Sequence, residues 1–151
     1  MININNPAQM QAIMNKICSQ VLNYVIDKII EENRELINSI VYGAGQPQEY
    51  NRTYEFRDSW GGNVVNTGKG ITATFEQDVS KLSYDPDYNI HGSLESGFIG
   101  EYLADIIYNG GSGYKFGNGY WMEQRDVWKP LLDAIDNKLD KWIDEGFKKF
   151  S

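Results

Sequence analysis

Beginning at Pro7, apolar side chains recur at three- and four-residue intervals: Met10, Ile13, Met14, Ile17, Cys18, Val21, Leu22, Val25, Ile29, Leu36, Ile37 and Ile40. Asn15, Lys16, Gln20, Asn23, Asp27, Lys28, Glu31, Glu32, Arg34 and Glu35 fall mostly between them. That period belongs to an amphipathic helix, and Gly43-Ala-Gly45-Gln-Pro47 ends it, because a helix cannot continue through paired glycines and a proline. A helix of roughly 30 residues, kinked or straight, is about 45 Å long at 1.5 Å per residue. This exceeds what a compact domain of 151 residues requires, so part of it is expected to project or to pack against another subunit.

A second helix is predicted at the other end, over residues 126–150. Trp128, Leu131, Leu132, Ile135, Leu139, Trp142, Ile143, Phe147 and Phe150 form one apolar stripe, and alternating charges occupy the opposite face. Asp126 is placed to cap it, and Pro130 is tolerable in a first turn whose amides have no helical partner.

Between the helices the pattern changes to period two. Ser59-Trp60-Gly-Gly-Asn-Val64-Val65-Asn66 and Ile71-Thr72-Ala73-Thr74-Phe75-Glu76 read as strands joined by Thr67-Gly68-Lys69-Gly70, so a turn and β-hairpin span residues 50–76. Residues 77–121 are loop-rich. Within them, 101–108 suits a short helix better than a strand, and Gly111 to Trp121 is a glycine loop studded with aromatics. The fold class expected is α+β: a long N-terminal helix and a C-terminal amphipathic helix packed on a small antiparallel β-sheet, in a single domain spanning residues 1–151 with the long helix over 1–42.

The chemistry-bearing residues are sparse. Cys18 is the single cysteine, which excludes an intrachain disulfide, and its place in the apolar stripe marks it as a buried small hydrophobe. His91 is the single histidine, with nothing tying it to Cys18 or to a particular serine, so no nucleophile and base pair is apparent. Asp85, Asp87 and Asn89 alternate as calcium ligands do, but the glycine and glutamate of an EF-hand loop are replaced by Ile90 and Ser96, leaving an Asx-rich turn. Gly110-Gly-Ser-Gly113 and Gly117-Asn-Gly119 lack the GK[ST] ending of a phosphate loop. No catalytic, cofactor-binding or metal-binding residue is therefore assigned, and no cofactor is expected.

The balance of 14 Lys+Arg against 21 Asp+Glu is acidic, with no cationic cluster to neutralise phosphates, which disfavours tight nucleic-acid binding. No run approaches the roughly 18 apolar residues of a membrane span, and the N terminus lacks the charged start and apolar run of a signal peptide. A soluble protein made in the cytoplasm is expected.

Candidate interface residues are Arg52, Arg57, Tyr114, Phe116, Tyr120 and Trp121. Arg52 and Arg57 sit beside Glu55 and Asp58, so local salt bridging and an intersubunit role are both open to them. The aromatics lie on the glycine loop, where contact between copies or with other proteins is the natural use.

Three short motifs complete the reading: Arg52-Thr53-Tyr-Glu-Phe56-Arg-Asp-Ser59 after the long helix, Tyr102-Leu-Ala104-Asp-Ile106-Ile107-Tyr-Asn-Gly110 after the hairpin, and Arg125-Asp-Val-Trp128-Lys-Pro130 entering the last helix. In this order they resemble the tailed-phage neck and tail-completion (head–tail joining) family from about Tyr50 onward. The resemblance implies a non-enzymatic virion protein that forms a homo-oligomeric ring around the DNA path and contacts phage connector and tail proteins, with DNA passing nearby without tight binding and no membrane partner. Two other readings remain open: an acidic phage-encoded inhibitor that occupies a host nucleic-acid-binding protein, and a carbohydrate-active enzyme using a carboxylate pair.

Overall fold

The structure is a computed structural model that describes residues 6–43, 54–68, 70–82, 104–105, 107–110 and 124–151. Helix α1 (Pro7–Ile37) is followed by one π-helical turn, Asn38–Tyr42. A single turn, α2 (Glu55–Asp58), leads into strands β1 (Trp60–Asn66) and β2 (Ile71–Gln77), then a 3₁₀ turn at Val79–Lys81. Residues 104–105 and 107–109 are helical, and helix α3 (Trp128–Phe150) closes the chain. The α+β architecture is that expected: two long helices and a two-stranded antiparallel sheet.

Local chemistry sets the boundaries. The Asn6 side chain accepts a hydrogen bond from the Gln9 amide at 2.9 Å, and Pro7 occupies the first helical position, where its missing N–H costs nothing. At α3 the Asp126 carboxylate accepts from the amides of Trp128 (2.9 Å) and Lys129 (3.2 Å), the capping role expected of it. In the hairpin, Trp60 pairs with Gln77 and Asn66 with Ile71. Its loop closes through Thr67 N–H to the Gly70 carbonyl at 2.9 Å, and Gly68 takes the left-handed φ of 77° that this reversal requires.

Helices α1 and α3 run antiparallel. The Tyr24 hydroxyl reaches the Glu145 carboxylate at 3.0 Å, Lys138 pairs with Glu32 at 2.6 Å, and Arg125 Nη1 donates to the Val41 carbonyl at 2.9 Å. The last contact joins the entry of α3 to the final turn of the first helix, satisfying a carbonyl that the helix leaves open. The hairpin lies on another side of α1, with Trp60, Val64, Ala73 and Phe75 turned inward and Val65, Thr72, Thr74 and Glu76 outward.

Two apolar clusters result. Ile37, Val41, Phe56, Trp60, Leu82, Ala104, Ile107 and Val127 pack together at one end, and Val25, Ile29, Leu131 and Trp142 at the middle, with Leu36 and Phe75 touching both. Two glycines set how closely the layers approach. A Cβ on Gly62 would stand 2.4 Å from Ile26 Cγ2 and 2.8 Å from the Thr74 carbonyl, and one on Gly146 would stand 3.0 Å from Val21 Cγ1. Cys18, expected to be buried, is only half-covered and borders an open groove. It sits in the outer half of α1, beyond the buried stretch that runs from Val21 to Ile37.

Asn33 is 1% exposed, and neither polar atom of its amide has a hydrogen-bond partner among the described residues. A buried amide without partners forfeits its hydration for nothing in return.

Replacing Asn33 by leucine, of similar volume, is therefore expected to stabilise the fold by about 1–3 kcal/mol. A lower thermal unfolding midpoint would mean that the amide makes a bond. Gly62→Ala is expected to destabilise by about 1–3 kcal/mol through overpacking against Ile26. Gly61→Ala, with nothing within 4 Å of the added atom, serves as the matched control and should unfold near the wild-type temperature.

Candidate functional site

Of the six candidate interface residues, Arg57 lies within the described residues; Arg52, Tyr114, Phe116, Tyr120 and Trp121 lie outside them, as do Asp85, Asp87, Asn89 and His91. Arg57 sits on the single turn α2, between the end of the first helix and the start of the hairpin. Its guanidinium is engaged within the chain. Nε and Nη2 donate to the two oxygens of Asp58 at 2.9 and 3.0 Å, and Nη1 reaches Asn38 Oδ1 at 3.5 Å. The cation also rests over the Tyr54 ring, 4.8 Å from Cζ to the ring centre.

Tyr54 carries the strain of this corner. Its φ of 60° is left-handed, uncommon for a residue with a side chain, and its ring meets Tyr42 edge-on at 4.9 Å. Arg34 adds a looser contact to Asp58 at 3.7 Å. The hydrogen bond from Arg57 is the main cause that holds the Asp58 carboxyl below its ordinary value, and the same bond raises the Arg57 guanidinium. Local salt bridging, one of the two uses open to Arg57, is thus realised in the fold, and part of the guanidinium still faces solvent.

Behind this corner stands an aromatic stack. Trp60 lies parallel to Phe75 with ring centres 5.1 Å apart and meets Trp128 edge-on at 5.1 Å and Tyr108 at 6.4 Å. A polar relay flanks it: the Tyr108 hydroxyl donates to Gln77 Oε1 at 3.0 Å, Gln77 Nε2 donates to Ser59 Oγ at 3.1 Å, and Ser59 Oγ–H donates to the Phe56 carbonyl at 2.9 Å. Burial pushes the Tyr108 hydroxyl well above its ordinary value, so it stays protonated and serves as a structural donor. The three motif regions singled out in the sequence therefore converge. Arg57 and Ser59, Tyr108, and Arg125 with Trp128 all sit around the last turn of the first helix.

Chemically the site offers aromatic surface and paired charges, which are the components of a packing surface. Among the described residues no three His, Cys, Asp or Glu side chains converge as metal ligands would, and no helix is long and apolar enough to cross a membrane. Sequence reasoning missed the relay through Gln77 and Ser59. Its signal, small and polar residues at the hairpin ends, is indistinguishable from turn chemistry until Tyr108 is brought alongside.

The pH dependence of this corner has a definite sign. Because the folded state lowers the Asp58 pKa, its contribution is complete above the unfolded-state value and is lost as pH falls through the folded one. Asp58→Asn should therefore unfold at a lower temperature than wild type at pH 7, by the roughly 0.2–1 kcal/mol typical of a half-exposed pair. Thermal melts in strongly acidic solution should bring the two proteins together. An equal gap at both pH values would show that charge pairing is not the cause.

No curated protein and no solved structure matches the chain significantly. The family model YomN matches residues 6–149, taking in both helices, the hairpin and the corner where the three motif regions meet. The chain belongs to the YomN family, which is phage-derived and of the Bacillus prophage type.

Proposed function

We propose that this protein is a structural component of the virion at the head–tail junction, a neck or tail-completion protein that assembles as a ring around the DNA path. One observation carries the reading furthest: membership of a phage-derived family across residues 6–149, in a chain whose three neck-like motif regions meet at one corner of the fold. Two further features support it. The long helix extends beyond the stretch its own chain buries, as expected of a subunit completed by neighbours. The chain carries a formal net charge of −7, and a lumen of that sign lets DNA slide without being gripped.

In this reading the role is mechanical and involves no catalytic step. Arg52, Arg57, Tyr114, Phe116, Tyr120 and Trp121 contribute contacts between copies or to the connector and tail proteins, and the protein resides in the particle after synthesis in the host cytoplasm. Deleting the gene that encodes this chain from an inducible phage and viewing the lysate by electron microscopy tests this directly. DNA-filled heads and separate, unjoined tails are expected, and complete infectious particles would overturn the proposal.

A further inference from the structure

The first turns of α1 carry no acidic residue and one basic one. Lys16 is the only charged side chain among the first 26 residues, whereas the following 125 hold all 21 acidic residues and 13 of the 14 basic ones. This stretch, whose one charge is positive, is also where the helix outruns its packing. Burial in α1 begins at Val21, opposite Gly146 near the end of α3, and Met10 and Met14 are 49% and 48% exposed. Met10, Met14, Ile17 and Val21 are spaced four, three and four residues apart, the seam spacing of helices that pack on other helices.

Beside the inner part of the same stretch lies an apolar groove of about 420 Å³, open to solvent, between α1, the hairpin tip and the end of α3. Cys18, Leu22, Ile71, Ile143 and Phe147 supply its apolar walls, and Phe147 is 37% exposed. The arm cannot fill its own groove, because it is one continuous helix with the groove's wall.

We propose that the arm of one copy, presented through Met10 and Met14, seats in the groove of a second copy of this chain. Charge selects this occupant. Residues 27–151 of each copy carry a net −8, from 13 basic and 21 acidic side chains, and the arm, whose one charge is the positive Lys16, can approach that body of a second copy without bringing a like charge to it. Methionines suit the task, since their flexible thioethers fill irregular apolar gaps. Arm and groove are different surfaces, so the contact is head-to-tail, the kind that closes into a ring when its rotation permits. The inference rests on the ring reading above and names the contact that would build the ring. One such seat is small against the roughly 1,200–2,000 Å² of stable interfaces, so association depends on concentration.

Sedimentation velocity over a concentration series tests it with three proteins: wild type, an arm variant with Met10→Glu and Met14→Glu, and a groove variant with Phe147→Glu. Circular dichroism melts confirm folding, and Ile71→Glu replaces the groove variant should Phe147→Glu fail to fold. Wild type is expected to associate, each variant to remain at 17.3 kDa at tenfold higher concentration, and an equimolar mixture of the two to form a dimer through the one intact arm and groove. A monomeric wild type throughout, variants that associate like wild type, or a mixture that stays monomeric would each overturn the inference. Particle assembly reports separately on the ring reading: variants that associate like wild type leave that reading intact, while particles that assemble without the protein remove it whatever the solution behaviour.

Discussion

Burial of the central face of α1 on two sides at once is the constraint on which the rest of the structure depends. Val25 and Ile29 face Leu131 and Trp142 of α3, while Ile26 meets the hairpin at Gly62. Neither neighbour is self-sufficient, since a lone two-stranded hairpin is marginal in water and α3 has one apolar face to hide. Each becomes stable by sharing the same helix. The glycines at 62 and 146 let this shared packing come close: at 62 an added methyl group would collide with Ile26 and the Thr74 carbonyl, and at 146 it would press on Val21.

The other end of the fold is joined by polar contacts as well as apolar ones. Arg125 satisfies the Val41 carbonyl, Tyr108 reaches Gln77, and Gln77 reaches the fully buried Ser59. These bonds tie together segments far apart in the chain around one helix end. Asn33 stands out beside them as a buried amide with no partner among the described residues, a cost the apolar packing around it must offset.

Function and architecture meet in the contrast between the two halves of α1. Its inner half is committed to this chain, with α3 on one side and the hairpin on another. Its outer half carries the same apolar rhythm without the same cover and without the acidic residues that fill the remainder of the sequence. A chain built this way would suit the association with a neighbour and the virion role proposed above.

The sequence by itself determined what is local. The 3.6-residue rhythm set both helices, alternation set the hairpin, and Asn6, Pro7, Gly68 and Asp126 set their ends, because caps, turns and backbone hydrogen bonds involve residues close in the chain. It also brought the residues around Arg57 and Arg125 to notice. Whether Arg57 pairs with Asp58 or looks outward was open in the sequence, since adjacency permits both, and the stacking of Tyr54 beneath the guanidinium resolved its conformation within the chain. Only the tertiary structure decided that Cys18 borders a groove, that Asn33 is enclosed without a partner, that Gly62 is a contact point and Gly61 is not, and that the outer turns of α1 overhang. Those outcomes depend on which faces meet and how closely, and packing between distant segments leaves no periodic trace in the residues that take part.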